Sequence, residues 1–278
     1  LFGKDKIYAV ENPGYRKIPQ IYKSHQVQCE YINMDDDGVN VSELEEKKAD
    51  ILHITPSHHY PTGIVMPISR RYELLSWASK GENRYIIEDD YDSELRLSGQ
   101  PIPTLQRIDV SDKVIYMNTF TKTLSSTVRI SYMVLPGHLL DQFYKKLSFY
   151  SCTVSNFEQY TLAKFIQEGY FEKHINRLRN YYHSKRDALL NAIQNSRLND
   201  HVTISGEEAG VHFLMEIKSS HKEDKLIQAA LSQGIKLAPL SEYYHVSEEA
   251  PENVYVMNYS SINENDIDEI IQKLSRCV

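Results

Sequence analysis

At 278 residues the chain can bury a sizeable core and can hold one large domain with a smaller one. A formal net charge of −7 and a sequence pI near 5.9 argue against direct nucleic-acid binding by this segment, which calls for a basic face. Cys29, Cys152 and Cys277 stand far apart with no Cys-x-x-Cys pair, no signal peptide is visible and no apolar run comes near the roughly 18 residues of a membrane span; disulfides, zinc and a membrane are not expected and a reducing cytoplasm is.

Short apolar runs alternate with helical patterns through the first half, as in α/β architectures. Strands are expected over 7–10, 27–32, 50–54, 85–87, 113–117 and 130–135, with a helix from about 69 to 79 where Tyr72, Leu75, Trp77 and Ala78 recur at near-helical spacing. Beyond Pro136-Gly137 the pattern turns to long helical stretches, 138 to about 148 and 156 to about 196, the second broken at Gly169. Along it Phe171, Ile175, Leu178, Tyr182, Leu189 and Leu190 fall on one side, while Lys173, Arg177, Arg179, Lys185 and Arg186 read as a solvated face. Strands near 211–217, 235–238 and 254–257 and helices near 224–232 and 264–274 complete a smaller α+β unit. The expected organisation is a large domain over 1–165 and a small C-terminal domain over 166–278, with no internal repeat and no low-complexity linker.

Three groups of reactive side chains follow apolar runs in this order: Glu88-Asp89-Asp90-Tyr91, then Thr119-Phe120-Thr121-Lys122, then Arg129. Together they suit a pyridoxal phosphate ring. A lysine amine condenses with the aldehyde, a buried carboxylate keeps the pyridine nitrogen protonated, and an arginine pairs bidentately with a phosphate dianion. Asp89 is assigned the carboxylate because it lies just past the strand 85–87, and Tyr91 is placed to aim its hydroxyl at the ring oxygen. Ligands in such sheets collect at the carboxyl ends of strands, where Asp89, Thr119 and the loop after Ile54 all fall. His53, His58 and His59 lack helical metal-ligand spacing, and Ser125-Ser126 lacks a nucleophile elbow, so neither a metal nor a serine nucleophile is expected. The 20 tyrosines are read mainly as core and interface filling.

The run from Thr55 to Gly63 (Thr-Pro-Ser-His-His-Tyr-Pro-Thr-Gly), the stretch Glu88-Asp89-Asp90-Tyr91-Asp92-Ser93-Glu94, and Thr119 to Lys122 with Arg129-Ile130-Ser131-Tyr132 resemble successive signatures of fold-type I, PLP-dependent aminotransferases. Their wording is similar to that of the MocR/GabR group of bacterial transcription regulators, in which an aminotransferase-like domain follows a winged-helix DNA-binding domain. Glu11-Asn12-Pro13-Gly14-Tyr15, Ala209-Gly210-Val211-His212 and the run Pro239 to Tyr244 extend the resemblance over nearly the whole chain. The resemblance implies an α/β fold with a mostly parallel central sheet and a smaller α+β domain. It also implies that Lys122 is the cofactor lysine, Asp89 the partner of the pyridine nitrogen, Tyr91 the ligand of the ring oxygen, and Thr119 with Arg129 the phosphate contacts. Tyr60 stands where ordinary aminotransferases carry an asparagine before Pro-Thr-Gly, and Tyr15 is placed near the ring or the effector.

Two departures bear on function. The glycine-rich phosphate cradle of family members precedes the Pro-Gly-Tyr motif, but this chain opens on Leu1 a dozen residues before it; the chain reads as a fragment without that cradle, and its own retention of the cofactor is left open. Where aminotransferases place an arginine for the substrate carboxylate the strand 254–259 presents Val256, and Lys17 is the nearest cation that could compensate. The favoured expectation is a PLP-binding, effector-sensing and dimerising domain that responds to a small amine or amino acid and reaches DNA only through a domain outside this chain. The alternatives are a working aminotransferase and a scaffold that has lost PLP and only dimerises.

Overall fold

The computed structural model describes residues 1–97, 102–208, 210–245 and 250–278. In chain order the first half forms β1 (Ile7–Asn12), α1 (Lys17–Ser24), β2 (Gln28–Asp35), β3 (Gly38–Val39), α2 (Val41–Glu46), β4 (Ile51–Ile54), α3 (Ile68–Ser79), β5 (Tyr85–Asp90), α4 (Leu105–Ile108), β6 (Val114–Thr119) and β7 (Ser131–Val134). These strands make one sheet in the order β3-β2-β1-β4-β5-β6-β7. The five from β2 to β6 run parallel, while β3 and β7 pair antiparallel at the two ends. The central strands are apolar on both faces because both faces are covered, and all four residues of β4 are buried. One face packs Leu52, Ile54 and Ile86 against Leu74 and Trp77 of α3, and the other packs Tyr8, Ile51, Tyr85 and Ile115 against Leu139.

The second half comprises α5 (Gly137–Leu147), α6 (Asn156–Gln167), α7 (Tyr170–Gln194), β8 (Val202–Ser205), β9 (His212–Ile217), α8 (Glu223–Ser232), β10 (Val254–Asn258) and α9 (Ile267–Ser275). An antiparallel sheet in the order β10-β9-β8 packs Phe213, Met215 and Tyr255 against Leu189 and Ile193 of α7, Leu226 of α8 and Ile271 of α9. Leu95, from the stretch after β5, is buried in this second core and ties the two sheets together.

The stretch foreseen over 156–196 with a break at Gly169 divides there into two helices: Ser155 caps α6 through a reciprocal capping box with Glu158, and Gly169, at φ 73°, ends it before α7 begins. Three expectations are corrected. Residues 235–238 form no strand, and the segment meets β10 through the Val256 amide on the Ala238 carbonyl and an isolated bridge from Pro239 to Tyr255. Proline has no N–H with which to extend a ladder. Asp89 lies within β5, not past its end. The strand β8, with its alternating Val-Thr-Ile-Ser, and the helices α1, α2 and α4 were not foreseen.

Candidate functional site

From β1 the chain passes to β2 on one side and later to β4 on the other, so the strand order reverses between β1 and β4. At such a reversal the connections leave a crevice at the carboxyl ends of the strands. A cavity of about 370 Å³ lies there. Its wall takes Val10 and Glu11 from β1, His53 from β4, Asp89 from β5 and Thr119 from β6, with Thr55 and Tyr91 just beyond their strands.

Strand parity decides which acid reaches it. Along β5, Ile86 belongs to the α3 side of the sheet, and Glu88 and Asp90 share its parity; Tyr85 and Ile87 belong to the other side and Asp89 shares theirs. His53 has the parity of Ile51, and its Nε2 stands 3.5 Å from Asp89 Oδ2 while its Nδ1 meets the Tyr22 hydroxyl at 2.8 Å. Glu88 is instead a buried clamp. Its carboxylate accepts the Leu105 and Gln106 amides at 2.8 and 2.9 Å and lies 3.5 Å from Arg71. Burial raises Glu88 to about 7. Asp90 accepts from the Tyr116 hydroxyl at 2.7 Å and from Ser93 Oγ at 2.8 Å.

Lys122 and Arg129 sit on the connection between β6 and β7. That loop is closed at its base by the Phe120 amide on the Ile130 carbonyl at 3.0 Å, and inside by Thr121 Oγ1 on the Val128 carbonyl at 3.3 Å. Both cations are exposed side chains on the cavity wall. Arg129 donates to Thr121 Oγ1 at 3.4 Å, and Thr119 Oγ1 donates to Thr121 Oγ1 at 2.9 Å. Thr121 thus joins the two positions singled out from the sequence, although it was given no role of its own.

The remaining wall comes from both ends of the chain. Tyr15 and Tyr60 meet edge to face with ring centroids 5.9 Å apart, and the Tyr60 hydroxyl contacts that of Tyr243 at 2.9 Å. The Gly14 amide donates to the Tyr243 carbonyl at 3.1 Å, and a Cβ on Gly14 would come within 2.4 Å of the Glu11 carbonyl oxygen, so the turn admits no side chain. His245 stacks on Tyr31 at 4.4 Å, and its amide donates to Asn12 Oδ1 at 2.8 Å. Asn258, at the end of β10, closes the cavity.

Of the eight residues assigned from the sequence, the cavity is lined by Tyr15, Tyr60, Asp89, Tyr91, Thr119, Lys122 and Arg129. Lys17 is not among the lining residues; it opens α1 with its Nζ 6.0 Å from the Tyr15 ring centroid. Val256 is buried with Leu214 and Leu240 in an apolar cluster against which Tyr60 and Tyr243 pack. Within the run 209–212, Ala209 lies outside the described residues. Glu11, His53, Thr55, His245 and Asn258 also line the cavity without having been assigned to it. For His53 a signal existed, a histidine two residues after Ile51 on one strand face, matching Asp89 two after Ile87. Among the described residues no group of three or more histidine, cysteine or carboxylate side chains could hold a metal ion, and no helix is long and apolar enough to cross a membrane.

Residues 1–274 match the model of the family described as aminotransferase class I and II. Among curated proteins the chain is 40% identical over 265 residues to the HTH-type transcriptional regulator YdeL of Bacillus subtilis (strain 168), covering 95% of this chain and 56% of that protein. It is 32% identical over 274 residues to the probable rhizopine catabolism regulatory protein MocR of Rhizobium meliloti, covering 99% and 55%. The chain therefore spans little more than half the length of these relatives. Among solved structures, the kynurenine aminotransferase of Pyrococcus horikoshii, solved in complex with PMP, superposes with a TM-score of 0.83 at 29% identity over 98% of this chain and 69% of that one. The mostly parallel sheet, the cavity at its switch point and the match over nearly the full length lead to one assignment: the chain belongs to the aminotransferase class I and II family.

Proposed function

We propose that this chain is the PLP-binding, effector-sensing and dimerising domain of a MocR/GabR-type transcription regulator of the bacterial cytoplasm. The observation that carries the cofactor is the convergence on one cavity of an amine, a carboxylate, a phenol, a threonine hydroxyl and a guanidinium, from Lys122, Asp89, Tyr91, Thr119 and Arg129. The donor set fits, and 370 Å³ lies within the range of roughly 300–1,000 Å³ usual for small-molecule sites. Bound there, pyridoxal 5′-phosphate supplies an aldehyde and an electron-withdrawing ring that no side chain offers. Lys122 provides the amine for the aldehyde. Asp89, with His53 behind it at 3.5 Å, holds a proton on the ring nitrogen. Arg129 and Thr119 take the phosphate, and Tyr91 faces the ring oxygen. Tyr15 and Tyr60 wall the space left for the effector, a small amine or amino acid.

The regulatory part rests on the relatives, whose names make them HTH-type regulators. DNA contact then belongs to a segment other than this acidic one, and a symmetric dimer would present two such segments. Effector binding at the cavity need shift a conformational equilibrium by only about 1–3 kcal/mol. The likeness to the Pyrococcus horikoshii enzyme favours a second reading, a working aminotransferase. Val256 argues against it, since the position aligned with a carboxylate-binding arginine is packed among Leu214 and Leu240. The deciding experiment adds PLP to the purified protein and follows visible absorbance. A band that is absent in Lys122→Ala is expected. Spectral change with an amine or amino acid but without turnover is expected of a sensor, whereas repeated turnover with an amino acid and a keto acid would overturn the regulatory reading in favour of the enzyme.

A further inference from the structure

His58 and Asp92 are 2% and 3% exposed, and neither lines the cavity. His58 Nδ1 stands 2.9 and 3.1 Å from the two Asp92 carboxylate oxygens and 3.2 Å from the Tyr91 hydroxyl. One ring nitrogen therefore faces two groups, the Asp92 carboxylate and the Tyr91 hydroxyl, but can carry only one proton. A carboxylate buried this deeply needs a donor, so the proton belongs on Nδ1 and is donated to Asp92. A protonated Nδ1 has no lone pair left for the Tyr91 O–H, which stays free to be donated elsewhere. Burial, with the nearby Asp92, holds the Tyr91 phenol well above the ordinary tyrosine range, so that proton is retained at neutral pH.

The surroundings leave the ring little freedom. Gly210, at φ +64°, lies so close that a Cβ there would fall 2.0 Å from His58 Cε1, and the His212 ring centroid is 4.6 Å away. His58 Nε2 is buried without a hydrogen-bond partner, so the Asp92 contact alone fixes which nitrogen is protonated. We propose that His58 and Asp92 are positioning residues, which lock the imidazole in the Nδ1–H tautomer and thereby keep the Tyr91 hydroxyl a donor to the ring oxygen of the cofactor. This inference rests on the PLP reading above and adds to it two residues outside the cavity wall.

The test is a pH titration of the visible band of the PLP-loaded protein. A donor at the ring oxygen stabilises its anionic form, so losing that donor raises the apparent pKa of the band. In Asp92→Asn the amide can donate to Nδ1, the ring proton moves to Nε2, and Nδ1 no longer excludes the Tyr91 proton. Asp92→Asn and Tyr91→Phe are each expected to raise the apparent pKa by about one unit, with no further rise in the double variant. A wild-type titration in Asp92→Asn, or shifts that add in the double variant, would overturn the lock while leaving the cofactor reading intact. Nitrogen NMR of histidine-labelled, PLP-free protein reads the tautomer directly and does not depend on any variant folding. A proton on Nδ1 of His58 is expected, and one on Nε2 would overturn the proposal. Absence of any Lys122-dependent band in the wild-type protein would overturn both readings together.

Discussion

Glu11 of the cavity wall meets the buried His59, and burial suppresses the charge of both. Glu11 accepts from the Thr55 amide at 3.1 Å and from Thr55 Oγ1 at 2.8 Å, and its Oε2 lies 3.4 Å from His59 Nε2. Burial pushes Glu11 up to about 8 and His59 down to about 3. Against ordinary values of 4.5 and 6.5, the two act in opposite directions. Between pH 4.5 and 6.5 the unfolded chain has lost the glutamic proton that the fold keeps, and holds the histidine proton that the fold refuses, so the slopes offset. From pH 6.5 to 8 Glu11 still differs, and Glu88, raised to about 7, adds in the same direction up to that value; the folded state binds more protons, and stability falls as pH rises. The melting temperature of the PLP-free protein should therefore drop by roughly 3 °C or more between those limits, and Glu11→Gln should flatten the drop in differential scanning fluorimetry. If Arg129 takes the cofactor phosphate as proposed, Arg129→Ala should weaken PLP retention by roughly tenfold or more, the loss expected of a charge-assisted contact, as read by equilibrium dialysis. Unchanged cofactor content would remove Arg129 from the phosphate site. Asp89, Lys122 and Arg129 could be picked out along the chain because they sit in recognisable runs. His53 was legible only through the strand parity it shares with Asp89, and Thr121 not at all, since each acts through a neighbour that only the folded register supplies.

At the scale of elements, the clamp around Arg71 shows how β5 is held at the depth the cavity needs. The guanidinium, fully buried on α3, donates to the carbonyls of Met66, Pro56 and Pro103 and faces Glu88 of β5, which in turn receives the first amides of α4. One side chain thus fastens two loops and a helix to the strand that carries Asp89. Arg71→Leu leaves Glu88 without its cation and strips three carbonyls of a donor. The expected loss is about 3–5 kcal/mol in denaturant unfolding, and a loss below 1 kcal/mol would show the clamp to be dispensable. The central strands were legible as elements because a sheet covered on both faces demands unbroken apolar runs. The break at Gly169 was legible as a position, but the separate start of α7 was not. The segment 235–238 reads as a strand because Ile235, Leu237 and Ala238 are apolar. Burial against β10 and the 3₁₀ turn at Leu240–Tyr243 explains the same residues without a ladder.

At the scale of the molecule, α6 has no buried residue, yet it presents Phe157 and Tyr160 at 79% and 77% exposure one turn apart, and β7 presents Tyr132, Met133 and Val134 at the edge of the large sheet. Large aromatics left in water on one helix face signal a surface that is covered in an assembly. The protein is therefore expected to self-associate, and Phe157→Ser combined with Tyr160→Ser should weaken association by about tenfold or more in sedimentation equilibrium. An unchanged association constant would place the interface elsewhere. The sequence by itself determined the α/β class and the order of the reactive groups, because periodicity and short motifs are local properties that the chain carries wherever it folds. Only the tertiary structure decided that His245 and Asn258 join Tyr15, Tyr60, Lys122 and Arg129 in one cavity, that Lys17 stands outside its wall, and that Val256 is sealed among leucines. Those outcomes depend on the reversal of strand order between β1 and β4 and on the β9–β10 sheet meeting the loops after β4 and β5, contacts between residues up to 233 positions apart whose burial no local pattern encodes.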